Sequence, residues 1–126
     1  MTAIEQQTAT KPDANVVLSK AVARAAERLD VSRGLLARVL GVSPATVTRL
    51  YKGNYLLERE RKEWEFALLF VRVFRSLDSI LGDESTARKW LNSENRGLNG
   101  RPIELIRSTE GLVRVVQYLD ASRGVV

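Results

Sequence analysis

Residues 58–81 carry two neighbouring apolar stripes at helical spacing: Trp64, Ala67, Leu68, Val71 and Phe74 on one, Phe66, Phe70, Val73, Leu77 and Ile80 on the next. A helix apolar around so much of its circumference is stable in water only when other elements cover it on more than one side. The rest of the chain must supply that cover. It has the same 3.6-residue period, and no window alternates with the period of two that a half-buried strand requires. The fold class read from the sequence is therefore all-α.

Local signals divide the chain into helices. Val17, Val22, Ala25, Ala26 and Leu29 line one side of a first helix ending near Asp30. Ser32 can cap a second helix through Leu35, Leu36, Val39 and Leu40, and Gly41 offers the left-handed backbone that ends it. Ser43 and Pro44 form a cap and first-turn pair for a third helix, which Gly53 and Asn54 terminate. The long helix over 58–81 begins with Glu58, Glu60, Glu63 and Glu65 among Arg59, Arg61 and Lys62, a pattern that reads as a solvated ion-pair face. Gly82 and Asp83 reset the chain before a helix through Ala87, Trp90 and Leu91. A Gly/Asn-rich turn at 95–100, a short helix opened by Pro102, and a last amphipathic helix on Leu112, Val115, Val116 and Leu119 complete it.

Size and composition limit what such a chain does. At 126 residues a large catalytic cleft is improbable, and 44% apolar with 28% charged residues is the composition of a folded protein. Cysteine and histidine are absent, which removes disulfides, thiolate and imidazole metal sites, and every Cys-His or Ser-His nucleophile. The expectation is a binding protein that is not an enzyme and needs no cofactor. The longest apolar run, 66–71, is far short of a membrane span. Residues 1–15 read as a flexible arm without a secretory pattern, so the expected location is the cytoplasm. The charge is uneven. Residues 16–56 hold Lys20, Arg24, Arg28, Arg33, Arg38, Arg49 and Lys52 against Glu27 and Asp30, which accounts for the whole net charge of +5. A basic head on a neutral body suits a polyanion partner, although a solvated basic surface has the same composition.

Two sequence patterns give this charge a meaning. The run from Arg33 to Leu50 places Ala37, Gly41, Val42, Val47 and Leu50 where two steeply crossed helices need a small contact residue, a turn glycine and apolar packing. It resembles the helix-turn-helix of phage-repressor-like regulators, in which the second helix lies in the DNA major groove. The resemblance implies DNA contacts from Arg33, Ser43, Ala45, Thr46, Thr48, Arg49 and Lys52. Arg49 suits a bidentate guanine contact, Thr46 and Thr48 suit base edges or a thymine methyl, and Arg33, Ser43 and Lys52 suit phosphates. One such head makes few base contacts, which favours a homodimer on double-stranded operator DNA.

The second pattern begins at Ala87 and is read physically as a helix, a tight turn, a Pro-opened turn and a capped helix starting at Ser108 or Thr109. Trp90, Leu91, Asn95, Leu98, Gly100, Pro102, Glu104, Leu105, Thr109, Gly111 and Gly124 stand where the toxin-binding domain of the Xre/MbcA/ParS antitoxins has its motif residues. The chain resembles that family over about residues 60–126, preceded by the helix-turn-helix its members carry. The division implied is an arm at 1–15, a DNA-binding domain at 16–56 and a dimerisation and toxin-binding domain at 57–126. The resemblance implies an antitoxin that occludes the active site of a cognate RES-domain toxin, a class that consumes NAD, and represses its own operon. Toxin contacts are expected from Arg114, Tyr118, Asp120, Ser122, Arg123 and Gly124. Arg123, near the chain end, is a candidate for entering a phosphate-binding pocket, and 123–126 are expected to lie beyond the folded body. A stand-alone transcription regulator whose C-terminal half only dimerises is the alternative.

Overall fold

Short side chains and prolines set the helix starts. Asp13, Ser32, Ser43 and Asp83 each accept a hydrogen bond from a backbone N–H two or three residues on, at 2.9, 3.1, 3.1 and 2.9 Å. Each satisfies a donor that the first turn leaves open. Pro44 and Pro102 occupy the first turn of their helices. The computed structural model describes residues 13–124, and these form seven helices and no strand. They are α1 (Ala14–Arg28), α2 (Arg33–Leu40), α3 (Pro44–Lys52), α4 (Lys62–Leu81), α5 (Glu84–Asn92), α6 (Pro102–Leu105) and α7 (Thr109–Gly124). The all-α class is observed. Residues 1–12 of the expected arm lie outside the described residues, whereas Ala14 and Asn15 already belong to α1.

Helix α4 is the centre. It packs against α1, α2, α5 and α7, which is the cover its two stripes require. Ala67, Phe70, Val73 and Leu77 are fully buried, each of the larger ones worth about 1.5–3 kcal/mol. The cover is incomplete at two stripe positions, since Leu68 remains 44% exposed and Ile80 41% exposed. Phe66 reaches beneath the α2–α3 turn, where a Cβ on Gly41 would lie 3.6 Å from its ring. The N-terminal three-helix head and the central helix thus share one core.

The long helix begins at Lys62, four residues later than its charge pattern predicts. Burial of Leu57 is the reason. Its backbone N–H donates to the buried Ser19 hydroxyl of α1 at 2.9 Å, and Ser19 in turn donates to the Asn15 carbonyl at 2.6 Å. That anchor draws the chain inward before α4 starts. The ion-pair face also needs correction at Glu63, which is buried and accepts a hydrogen bond from the Tyr55 hydroxyl. Burial and this carboxylate raise the Tyr55 phenol above its ordinary pKa. Glu58 and Arg61 do pair in solvent, at 3.5 Å.

The C-terminal region folds around two close approaches. Asn95 and Gly100 exchange backbone hydrogen bonds at 2.9 and 3.2 Å, the Asn95 side chain accepts from Leu98 N–H, and Leu98 is buried. Gly111, in the first turn of α7, passes so close to α6 that an added Cβ would lie 1.9 Å from the Leu105 carbonyl oxygen. Only glycine fits there without moving a backbone. Ser108 caps this turn through Gly111 N–H at 3.0 Å, so the start read at Ser108 or Thr109 is observed.

Two stability measurements follow from these contacts. Gly111→Ala should cost about 1–3 kcal/mol through backbone overlap. Gly34→Ala, where a Cβ meets nothing within 4 Å, should gain about 0.5–1 kcal/mol. Thermal melts of both read the contrast, and a neutral Gly111→Ala would contradict the packing described. Tyr55→Phe should cost about 1–3 kcal/mol by stripping a buried carboxylate of its donor. Adding Glu63→Gln should recover part of that loss in the same melt, and strict additivity would deny the coupling.

Candidate nucleic-acid and toxin interfaces

The helix-turn-helix geometry arises from a three-residue connection. Gly41, at φ 75°, ends α2 and donates its N–H to Ala37, and Val42 N–H donates to the same carbonyl at 3.0 Å. Ser43 then caps α3. Val47 and Leu50 face the core, leaving Ala45, Arg49 and Lys52 as an exposed row at helical spacing. Thr46 and Thr48 are half-buried beside it.

Hydrogen bonds order this face. Ser43 and Thr46 hydroxyls lie 2.9 Å apart, and Arg49 donates from Nη2 to Thr46 Oγ1 at 3.2 Å. Thr46 therefore holds the guanidinium along the exposed side of α3 while Ser43 is engaged as the cap. Arg33 stacks over the Tyr51 ring, 4.5 Å from its centroid, fastening the start of α2 to the end of α3. Burial, with Glu27 adding to it, raises the Tyr51 phenol above its ordinary pKa, while Arg33 partly offsets this.

The head's cations are largely unneutralised. Of the seven in residues 16–56, only Arg28 has a carboxylate partner among the described residues, Glu84 at 3.6 Å. In the second half five of twelve cations, Arg61, Arg72, Arg88, Arg101 and Arg107, are ion-paired. The imbalance seen in the sequence thus survives folding as an uncompensated positive surface.

The residues expected to meet a toxin lie together on α7, and most are engaged within the chain. Arg114 donates from Nη2 to the Leu98 carbonyl at 2.7 Å, bracing the 95–100 turn. Tyr118 stacks on Trp90 with centroids 6.3 Å apart, and Gly97 leaves room for its ring. Asp120 pairs with Arg72 of α4 at 2.7 Å. Ser122 donates to the Tyr118 carbonyl at 3.0 Å, and Arg123 donates to the buried Ser76 of α4 at 3.3 Å. Gly124 is the last helical residue. Arg123 is accordingly part of the folded body rather than beyond it: Leu119 is the last apolar contact, but Asp120 and Arg123 extend the docking by polar reach. Val125 and Val126 lie outside the described residues.

Several structural neighbours of these residues carry no distinctive signal in the sequence. Gln117 and Ala121 share the solvent-facing row of α7 with Arg114, yet carry no charge to draw notice. Arg72 and Ser76 looked like ordinary α4 positions, and only the tertiary pairing with α7 gives them a role. Asp83 takes hydrogen bonds from both Thr86 N–H and Thr86 hydroxyl, which hold its carboxyl below the usual range and fix the start of α5. No helix among the described residues is long and apolar enough to cross a membrane.

Known proteins match both halves. Residues 9–72 match the antitoxin Xre-like helix-turn-helix domain, and residues 76–124 match the antitoxin Xre/MbcA/ParS C-terminal toxin-binding domain. The two matches meet inside α4. A chain in the crystal structure of the M. tuberculosis MbcT-MbcA toxin-antitoxin complex superposes with a TM-score of 0.64 at 28% identity, covering 87% of this chain and 97% of that one. A shorter similarity, 42% identity over 43 residues, is to 6-hydroxy-3-succinoylpyridine 3-monooxygenase HspA of Pseudomonas putida. It spans 33% of this chain and 14% of that protein. With a basic helix-turn-helix and a toxin-binding domain joined through one central helix, the chain belongs to the Xre-like helix-turn-helix antitoxins of toxin-antitoxin systems.

Proposed function

We propose that this antitoxin neutralises a RES-domain, NAD-consuming toxin by covering its active site with α7 and the residues that follow, and represses its own operon by placing α3 in the major groove of operator DNA. The observation that carries the DNA part is the unneutralised head, with Arg49 ordered by Thr46 on the exposed row of α3. The match of residues 76–124 to a toxin-binding domain supports a toxin partner over a half that only dimerises. The RES identity rests on the sequence resemblance. The protein acts by binding and needs neither catalysis nor a cofactor of its own; its place of action is the cytoplasm. The functional division is 16–56 for DNA and 57–126 for dimerisation and toxin, with 1–15 as an arm.

The working unit on DNA is a homodimer, since paired heads supply the contacts that one α3 lacks. A groove of about 490 Å³ between α1 and α4 supports it, exposing Val17 and Leu68 beside Trp64 and Val71. Arg49→Ala should weaken operator binding by about 1–3 kcal/mol and relax preference at one base pair. Lys52→Ala should weaken all sequences alike and lower the salt slope by about one unit per bound chain, about two for the dimer. Native mass spectrometry of the wild-type complex should show two chains per operator. If both variants bind like wild type, α3 is not the reading helix; a single chain bound tightly would rule out the dimer.

Neutralisation is tested on Arg123, whose change to Glu would bring a negative charge towards a pocket built for phosphates. Because Arg123 only supplements the α7 docking, the melt should fall by about 1 kcal/mol or less. Cells making the RES-domain toxin with the Arg123→Glu antitoxin should lose NAD, while the two proteins still co-purify. Retained NAD would move the inhibitory contact to the outer row of Arg114, Gln117 and Ala121.

A further inference from the structure

The basic surface does not stop at α3. Lys20 and Arg24, one turn apart on α1, line a groove of about 570 Å³ whose opposite wall is the end of α3, at Tyr51, Lys52 and Gly53. Both cations are exposed, and neither they nor Lys52 have a carboxylate partner among the described residues. A Cβ at Gly53 would meet nothing within 4 Å, so the rim there is open. Glu27 is the one carboxylate lining the groove, which leaves three cations against one anion.

We infer that Lys20 and Arg24 form a second phosphate-binding surface, gripping the DNA backbone that leaves the major groove at the C-terminal end of α3. The inference rests on the DNA-binding reading of α3 and extends it to α1. Lys52 joins the two, since it ends the exposed row headed by Ala45 and Arg49 and also lines the groove. A backbone strand running past the end of α3 would meet Lys52 first and then the α1 pair. Flexible cations without carboxylate partners suit this task, because phosphate contacts fix register without reading bases. The three cations need not exchange a protein ion pair for a phosphate. Glu27 opposes the strand and limits indiscriminate attraction.

Counterion release makes this measurable on any duplex. Each phosphate contact contributes about 0.9 to the slope of log affinity against log salt. Binding of the full-length protein to a mixed-sequence duplex of about three helical turns, and to a duplex from upstream of its own operon, would be measured at several salt concentrations. Lys20→Gln/Arg24→Gln should lower the slope by about two units per bound chain, about four for the dimer, on both duplexes. Wild type, as a dimer, should then lose on the order of a hundredfold more affinity than the variant between 50 and 200 mM salt. Glu27→Gln should tighten binding to both, an opposite sign that damage to folding would not produce. Lys89→Gln on α5 controls for overall charge and should leave the slope nearly unchanged. Melts confirm that the variants fold. An unchanged slope in the double variant, with wild-type binding intact, overturns this inference and leaves the α3 reading standing. Failure of wild type to bind either duplex overturns both.

Discussion

The burial of α4 governs the rest of the molecule. Phe70, Val73, Ala67 and Leu77 cannot be sheltered by one neighbour, so α1 and α2 close over part of the helix while α5 and α7 close over the rest. The reading head and the toxin-binding region therefore share a core rather than being joined by a linker. Phe66 under the α2–α3 turn, Leu57 anchored by Ser19 and Glu63 held by Tyr55 tie the head to one end of α4. Arg72 to Asp120 and Ser76 to Arg123 tie α7 along the same helix. Families of helix-turn-helix and toxin-binding sequence meet within α4 for the same reason: it serves both.

Electrostatics divides what packing unites. Five of the twelve cations from Arg59 to Arg123 are ion-paired, whereas only one of the head's seven has a carboxylate partner among the described residues. Surface ion pairs contribute little to stability, so their absence from the head costs the fold almost nothing. It does leave the head, with seven cations against two carboxylates, the most strongly positive segment of the chain. In the proposed complex, toxin and DNA would then approach different parts of one rigid body.

Much of this was legible in the sequence where the signal is local. Ser32, Gly41, Ser43, Pro44 and Gly53 each act within a few residues, and the helices they bound fall where their chemistry puts them. The start of α4 was misread because its charge pattern is equally that of an exposed helix. What moves the start is Leu57 meeting Ser19, a contact between residues 38 apart. Glu63 misled for the same reason, since nothing near it in sequence says that Tyr55 will bury it. Among the site residues, the exposed row of α3 follows from helical spacing. The engagement of Arg114, Tyr118, Asp120 and Arg123 within the chain depends on tertiary partners at Leu98, Trp90, Arg72 and Ser76, which no periodicity reveals. Gly111 stands apart: its motif position was visible, and the backbone contact with Leu105 supplies the reason.

If one helical body offers separate surfaces to toxin and DNA, as proposed, both partners can be bound at once. The most direct measurement is native mass spectrometry of the purified antitoxin–toxin complex titrated with duplex from upstream of its operon. A ternary species is expected, with toxin retained as DNA is bound. Release of toxin in step with DNA binding would show that the two partners compete for one surface, and would contradict the proposal of separate surfaces.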